Sequence, residues 1–181
     1  MVAEQTKQAG LKIFRAAEAR PFDEELAAKV FRGPVLDQAA MDAFPRWDSA
    51  AGAGMKLVFG DPDQGGMSLM VLWFASNYVL PRHVHDVDCM YYILSGEAHL
   101  GNRVLKPGDG FFAPAGAPYT YTAGPEGVEV LEFRATSTLE LKYKETPKGW
   151  EKLIELADES RDRWRVETAA RGYATTGGAT A

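Results

Sequence analysis

Hydrophobic residues between positions 55 and 145 occur in short runs that are separated by clusters of turn-forming residues. Runs such as 55–59, 68–74 and 128–133 are rich in aromatic and β-branched side chains, and clusters such as 107–110 contain Gly, Pro and Asp. Many short strands with regularly spaced turns are typical of an all-β sandwich or barrel. No alternation of strands with long helices is visible, so the pattern argues against a doubly wound α/β sheet.

Two segments outside this region predict helices. Residues 24–31 form a short amphipathic stretch, and Asp23 stands at the position of an N-terminal cap. Residues 146–166 predict the longest helix, because Thr146 can cap it and Pro147 suits the first helical position. One apolar stripe of this helix follows the i, i+3, i+4, i+7 spacing and contains Trp150, Leu153, Ile154 and Ala157. We expect this stripe to pack on the barrel or on a second subunit.

These patterns divide the chain into four parts. We expect an N-terminal extension over 1–54, a β-barrel over 55–145, a C-terminal helix over 146–166 and a flexible tail over 167–181. Gly52 and Gly54, which stand among alanines, predict a flexible joint between the first two parts.

Composition and charge narrow the possible functions. The 181 residues suit one domain, and the net charge of -5 argues against a general nucleic-acid surface. A single cysteine excludes an internal disulfide, and residues 1–20 show no apolar core of a secretory signal, so we expect a cytoplasmic location. The longest nearly apolar run, 67–80, is too short and too polar to span a bilayer, which argues against a membrane partner.

The sharpest chemical feature is the sequence His83-Val84-His85. On a strand, residues i and i+2 point to the same face, so both imidazoles would converge on one point. Imidazole is a good ligand for zinc, copper, iron and nickel. By itself, however, the pattern also describes two partly exposed histidines at the end of a strand.

Two longer segments place these histidines in a known context. Residues 83–96 read His-x-His, three residues, Cys, six residues, Gly, and residues 108–119 read Gly, five residues, Pro-x-Gly, two residues, Tyr. Both segments resemble the motifs of the cupin superfamily, whose glycines and proline they match at the same spacing. The resemblance is close over 81–119 and extends in general pattern over about 55–140. It implies an all-β, single-domain fold of the cupin type, a double-stranded β-helix or jelly-roll barrel.

The resemblance also implies a metal site. Typical cupins hold a metal with three histidines and a glutamate, but here Cys89 stands at the glutamate position and Tyr119 at the last histidine position. We therefore expect His83 and His85 to hold a divalent metal ion, iron or zinc first, with nickel or copper as alternatives. Cys89, Tyr119, a carboxylate or water would complete the ligand set. His99 is expected to face outward, because its neighbours in the strand face inward.

Two metal-free interpretations stay open. In one, Cys89, Tyr91, Tyr119 and Tyr121 line a pocket in which the two histidines act as general acid or base. In the other, the pocket binds a ligand without chemistry. Cys89, Tyr91 and Tyr119 are the candidate catalytic residues, although a small buried cysteine also packs well as a hydrophobe.

The last barrel strand leaves one further alternative open. Glu132 and Arg134 are two positions apart, so both face the same side. One phase of the alternation places them inside, where they can bind a substrate acid or move a proton. The other phase places them in water.

The resemblance suggests a small-molecule enzyme, with a dioxygenase-like oxidoreductase as the first expectation. Isomerase or lyase chemistry is one alternative, and a metal-poor cupin that binds or senses a ligand is the other. The aromatic residues of the barrel suggest an aromatic substrate, although aromatic side chains fill many barrels. Cupin barrels commonly dimerise through their strands, so we expect a homodimer.

Overall fold

Antiparallel strands make up most of the structure, which is a computed structural model that describes residues 10–33 and 37–173. Most of the tail, 174–181, lies outside the described residues. The all-β class and the C-terminal helix predicted from the sequence are both confirmed. None of the helices in the described ranges is long and apolar enough to cross a membrane.

Within residues 10–33 and 37–173, nine strands form two sheets. They are β1 (Arg20–Pro21), β2 (Ala53–Phe59), β3 (Ser68–Phe74), β4 (His83–His85), β5 (Cys89–Leu100), β6 (Arg103–Leu105), β7 (Gly110–Ala113), β8 (Thr122–Arg134) and β9 (Leu141–Tyr143). The larger sheet has the order β1-β2-β3-β8-β5-β6, with β7 also paired to β5, and the smaller sheet pairs β4 with β9. In the described ranges the large sheet stays open, as in a cupin sandwich, rather than closing on itself.

Strand β5 is the centre of the large sheet, because it pairs with β6, β7 and β8. Its side chains alternate strictly at the start: Cys89, Tyr91 and Ile93 are buried. Gly96 lies at an irregularity in the β5–β8 register and has φ 73°, a conformation that favours glycine. The motif glycine is therefore needed for the backbone of the sheet that carries the site.

In the part of the chain that the structure describes, four α-helices flank the sheets, together with one 3₁₀ turn (Ala16–Glu18). They are α1 (Glu24–Val30), α2 (Gln38–Trp47), α3 (Ser49–Gly52) and α4 (Pro147–Ala170). Both predicted caps are confirmed. Asp23 accepts a hydrogen bond from the Leu26 amide at 2.9 Å, and Thr146 accepts one from the Gly149 amide at 3.0 Å. Helix α4 continues to Ala170, four residues beyond the end expected from the apolar stripe.

Helix α2 was not expected, because Pro45 suggests a break. The proline lies in the last turn of the helix, where only one backbone hydrogen bond is lost. Asp37 caps the start by accepting from the Ala40 amide at 2.9 Å, and Ala43 and Trp47 are buried. Burial of this apolar face therefore outweighs the cost of the proline.

Helix α4 packs against α2 and α3 and fixes the chain that leads to β4. Trp164 Nε1 donates to the Ser76 carbonyl at 2.8 Å, and a Glu167 carboxylate oxygen accepts from the Ser76 amide at 2.8 Å. Gly52 lies so close to Tyr78 and Trp164 that an added Cβ would overlap their rings. The prediction of a flexible joint at Gly52 and Gly54 is wrong, because both glycines permit tight packing against aromatic rings.

Candidate metal centre

The two histidines of the His-x-His sequence lie on one buried face of β4. Only 4% of His83 and 6% of His85 is exposed, and the ring centroids are 5.0 Å apart. Tyr119 lies directly opposite His83 and exchanges two backbone hydrogen bonds with it, at 3.0 and 3.1 Å. These hydrogen bonds place the second cupin-like motif, which contains Tyr119, beside the first, which contains His83.

Three potential metal donors converge at His85. Its Nδ1 atom lies 3.0 Å from Cys89 Sγ and 3.9 Å from Glu132 Oε1. Donor atoms of these three buried residues all lie within 4.8 Å of one another. Nitrogen, sulfur and carboxylate oxygen together suit zinc or iron, so the residues fit the metal that the sequence predicts.

His83 is oriented differently. Its Nδ1 atom lies 2.7 Å from the Pro81 carbonyl oxygen, which can only accept, so Nδ1 carries the proton and Nε2 keeps its lone pair. A backbone carbonyl commonly fixes a metal-binding histidine in this way. In the described part of the chain, however, the compact donor group contains His85, Cys89 and Glu132 and does not include His83.

Burial sets the protonation of the donors. Desolvation lowers the pKa of His83 to about 4, and the neighbouring His85 contributes to this shift. Desolvation also lowers the pKa of His85 to about 4, and here Arg134 contributes. Both imidazoles are therefore neutral at neutral pH. Burial and the nearby Glu132 raise the pKa of the Cys89 thiol to about 12. In the absence of a metal ion Cys89 is therefore a protonated thiol, and it would lose this proton on binding a metal ion.

These pKa values predict how stability depends on pH. Because the unfolded histidines bind protons below about 6.5 and the folded ones only near 4, the metal-free protein should be fully stabilised above about pH 6.5 and should lose stability as the pH falls to 4. The loss should approach about 3 kcal/mol per histidine, at about 1.36 kcal/mol per pKa unit. Urea unfolding at several pH values in the presence of a chelator measures it.

Substitution of the two buried histidines tests this assignment. His83→Gln should remove about half of the stability loss between pH 4 and 6.5, and His83→Gln combined with His85→Gln should remove most of it, because both imidazoles have a lowered pKa. Equal profiles for His83→Gln and the unmodified protein would contradict the assignment of the pH dependence to the buried imidazoles.

The structure shows which side chains of β8, the last strand of the predicted barrel, point inward. Glu132 and Arg134 both point inward, with 6% and 2% of each residue exposed. Arg134 Nε lies 3.5 Å from Glu132 Oε1, but neither atom has a hydrogen-bond partner in the described structure. Arg134 Nη2 lies 2.9 Å from the Met70 sulfur. Glu132 Oε1 therefore lies beside the guanidinium of Arg134 without a hydrogen bond, and it shares one buried group with His85 and Cys89.

The candidate catalytic tyrosines lie beside this donor group. The hydroxyls of Tyr91 and Tyr119 are hydrogen-bonded to each other, and the Tyr119 ring centroid is 4.3 Å from that of His83. Tyr91 stacks on Phe111 with centroids 4.4 Å apart. Burial, followed by the nearby Glu132, raises the pKa of both phenols well above 10, so they remain protonated donors rather than anionic ligands.

Other polar residues near the motif lie outside the donor group. His99 Nε2 is 3.2 Å from Glu97 at a half-exposed position. Asp86 pairs with Arg32, and Asp88 accepts from the Ala115 amide at 2.8 Å. Both aspartates therefore have partners of their own outside the donor group.

The region that contains both motifs also matches a known protein family. A family model described as the ChrR cupin-like domain matches residues 37–140. The chain belongs to the ChrR cupin-like family of the cupin superfamily. The cupin fold predicted from the two motifs is therefore confirmed. No protein of curated function matches the chain.

Solved structures give further similarities to this cupin. The polyketide cyclase RemF from Streptomyces resistomycificus is 14% identical, with a TM-score of 0.53 over 87% of this chain and 98% of RemF. KdgF from Halomonas sp. is 26% identical, with a TM-score of 0.41 over 46% of this chain and 79% of KdgF. An RmlC-like cupin from Shewanella frigidimarina is 21% identical, with a TM-score of 0.41 over 47% and 78%. The likeness to RemF supports the fold over nearly the whole chain, including the regions outside the barrel.

Proposed function

We propose that this cupin is a metal-dependent enzyme that acts on a small molecule at the His85–Cys89–Glu132 group. One observation carries the proposal: Glu132 Oε1 is buried without a hydrogen-bond partner, beside an imidazole nitrogen and a thiol sulfur. Arg134 offers this oxygen a nearby charge but no hydrogen bond, and a divalent cation would supply the missing direct interaction. His83 would add its free Nε2 as a further donor.

Zinc and iron are the ions that we propose, with nickel and copper behind them. A bound ion would supply Lewis acidity to a substrate oxygen and, in the case of iron, redox chemistry with dioxygen. The buried, neutral histidines favour binding at neutral pH, because no proton has to leave them. The Cys89 proton would have to leave, so metal binding should release about one proton per chain.

The surrounding residues favour an aromatic substrate with an oxygen substituent. The stacked rings of Tyr91 and Phe111 form a flat wall that suits another planar ring. One of the two phenols donates to the other, so the remaining O–H can donate a hydrogen bond to a substrate oxygen. In this role the two tyrosines orient the substrate, and Cys89 acts as a metal donor rather than as a nucleophile.

The reaction class that we propose is dioxygenase-like oxidation, as the cupin resemblance implies. A second candidate is redox-neutral cyclisation, isomerisation or elimination. The protonated phenols favour it, since a hydrogen bond from the free O–H would stabilise an enolised substrate without any electron transfer. The fold of the polyketide cyclase RemF is consistent with this second candidate.

Metal content tests the proposal first. The untagged protein, supplied with Fe²⁺ or Zn²⁺ and then dialysed, should retain about one ion per chain by elemental analysis. Absence of a retained ion with every metal offered would leave the metal-free, ligand-binding cupin. With catechols and β-diketones as probes, oxygen uptake by the iron form would support oxidation. Turnover without oxygen by the zinc form would support the redox-neutral class.

We also propose that the protein is a cytoplasmic homodimer whose cupin unit, 55–145, is joined to the extension 1–54 and to the C-terminal helix α4. The buried, reduced Cys89 supports a reducing compartment. Since the family match begins at residue 37, helices α2 and α3 belong to the family unit as well.

A further inference from the structure

Tyr121 lies in the interior of the protein, beside the aromatic wall that Tyr91 and Phe111 form. Only 2% of Tyr121 is exposed. Its ring centroid is 5.8 Å from that of Phe111, with the two planes at 69°, and the Tyr119 ring is 6.0 Å from the same phenylalanine. Three tyrosines therefore surround Phe111, and Tyr121 belongs to the same aromatic group as the hydrogen-bonded phenols of Tyr91 and Tyr119.

The backbone around Tyr121 orients its side chain. The Tyr119 carbonyl accepts a hydrogen bond from the His83 amide at 3.1 Å, and the Tyr121 carbonyl accepts one from the Leu80 amide at 3.0 Å. This pairing keeps the segment extended, and in an extended segment residues i and i+2 face the same side. Thr120, which lies between the two tyrosines, is exposed. Tyr121 therefore points inward from the same side of the segment as Tyr119.

The hydroxyl of Tyr121 is buried and has no hydrogen-bond partner among the described residues. The hydroxyls of Tyr91 and Tyr119, in contrast, are bonded to each other. A buried hydroxyl without a partner lowers stability, and a phenylalanine would fill the same space without this cost. Burial, followed by the charge of Glu132, raises the pKa of the Tyr121 phenol well above 10, so the group remains an O–H donor. The missing partner is therefore an acceptor.

We infer that Tyr121 selects substrates: its hydroxyl donates a hydrogen bond to a second oxygen of the substrate, so that the site takes aromatic rings with two oxygen substituents. This inference rests on the substrate orientation in the proposed function, which places one oxygen at the free O–H of the Tyr91–Tyr119 pair. A ring with one oxygen satisfies only one of the two donors and leaves the other unpaired. Sites built in this way discriminate strongly against the compound that lacks the acceptor.

Stability gives the first test, because a ligand-binding hydroxyl and a structural one predict opposite results. In the metal-free and ligand-free protein, Tyr121→Phe should unfold at a urea concentration no lower than the unmodified protein does, since it removes an unpaired hydroxyl. Tyr119→Phe should unfold at a lower concentration, since it breaks the bond between the two phenols. A lower midpoint for Tyr121→Phe would show that its hydroxyl has an internal partner and would overturn the inference.

Ligand affinity gives the second test. Resorcinol and hydroquinone carry two oxygens that cannot both reach one metal ion, and phenol carries one. By isothermal titration calorimetry, the unmodified zinc form should bind one of the two diphenols at least about fivefold more tightly than phenol. Tyr121→Phe should bind that diphenol at least about fivefold more weakly, and phenol with less than about a twofold change. Tyr92→Phe is the matched control, because Tyr92 is 48% exposed on the outer face of β5, and its affinities should be unchanged.

Equal affinities of the unmodified protein for phenol and both diphenols would overturn the inference, and so would a preference that persists in Tyr121→Phe. The same titrations in the presence of a chelator separate this inference from the metal proposal. A preference that depends on Tyr121 in a protein that retains no metal would contradict the proposed metal centre and leave the role of Tyr121 standing. A protein that retains one ion per chain but shows no preference would overturn the role of Tyr121 and leave the metal centre standing.

Discussion

The variant His85→Ala should lose stoichiometric zinc binding, with an affinity lowered by more than about 100-fold. His85 is the donor that lies closest to both other members of the group, at 3.0 Å from Cys89 Sγ and 3.9 Å from Glu132 Oε1. Removing it leaves a thiol and a carboxylate in the compact group and one imidazole, that of His83, which is fewer than the four donors of a closed zinc site. Competition with a chromophoric chelator measures the affinity, and elemental analysis measures the stoichiometry.

Controls separate the donor group from the rest of the molecule. Cys89→Ser and Glu132→Gln should weaken zinc binding strongly, whereas His99→Ala should bind as the unmodified protein does, because His99 lies in the half-exposed pair with Glu97. Unchanged affinity in both His85→Ala and Glu132→Gln would rule out a metal at this group.

His83 requires its own comparison. The sequence assigns it to the metal, and the free Nε2 atom is consistent with that role, but the compact group of donors does not contain it. We expect His83→Ala to weaken binding about as much as His85→Ala does, if the ring contributes Nε2. A variant that binds zinc normally would restrict the donors to His85, Cys89 and Glu132.

The second large effect concerns the buried ion pair. Arg134→Met should destabilise the metal-free protein by about 3–5 kcal/mol, because it leaves the Glu132 carboxylate buried without a compensating charge. Zinc should restore a large part of this stability, since the ion would supply the positive charge that the arginine no longer provides. Urea unfolding with a chelator and with zinc measures both quantities.

A double variant makes this prediction specific. Arg134→Met combined with Glu132→Gln should be more stable without metal than Arg134→Met alone, because the uncompensated charge has been removed. It should gain little stability from zinc. Additive losses in the double variant would show that packing of the arginine, rather than its charge, stabilises this region.

Local signals in the sequence predicted a large part of the fold. Asp23 and Thr146 cap helices because short polar side chains accept hydrogen bonds from the free amides at a helix start. Such a cap can be predicted without knowledge of the tertiary structure. The pairing of His83 and His85 on one face follows in the same way from strand geometry. The motif spacing then placed both segments in one cupin unit.

Other features depend on tertiary contacts that the sequence does not display. The alternation in β8 showed that Glu132 and Arg134 share a face, but only the pairing of Glu132 with Tyr91 and Met70 decides that this face is internal. The sequence therefore identifies Glu132 as a candidate without showing whether its side chain points inward. The structure places it as the third member of the proposed donor group. Helix α2 was missed because the burial of Trp47, which outweighs the cost of Pro45, is a property of the packed chain.

The anchoring of Ser76 by α4 connects the end of the chain to its centre. Trp164 and Glu167 hold the backbone at Ser76, which precedes β4 in the chain. The helix therefore restrains the segment that leads to the two imidazoles. Binding of an ion at the proposed donor group and docking of the helix should therefore be linked equilibria, each strengthening the other. Proteolytic removal of the helix should free the backbone at Ser76 and weaken ion binding, even though β4 would keep its pairing with β9.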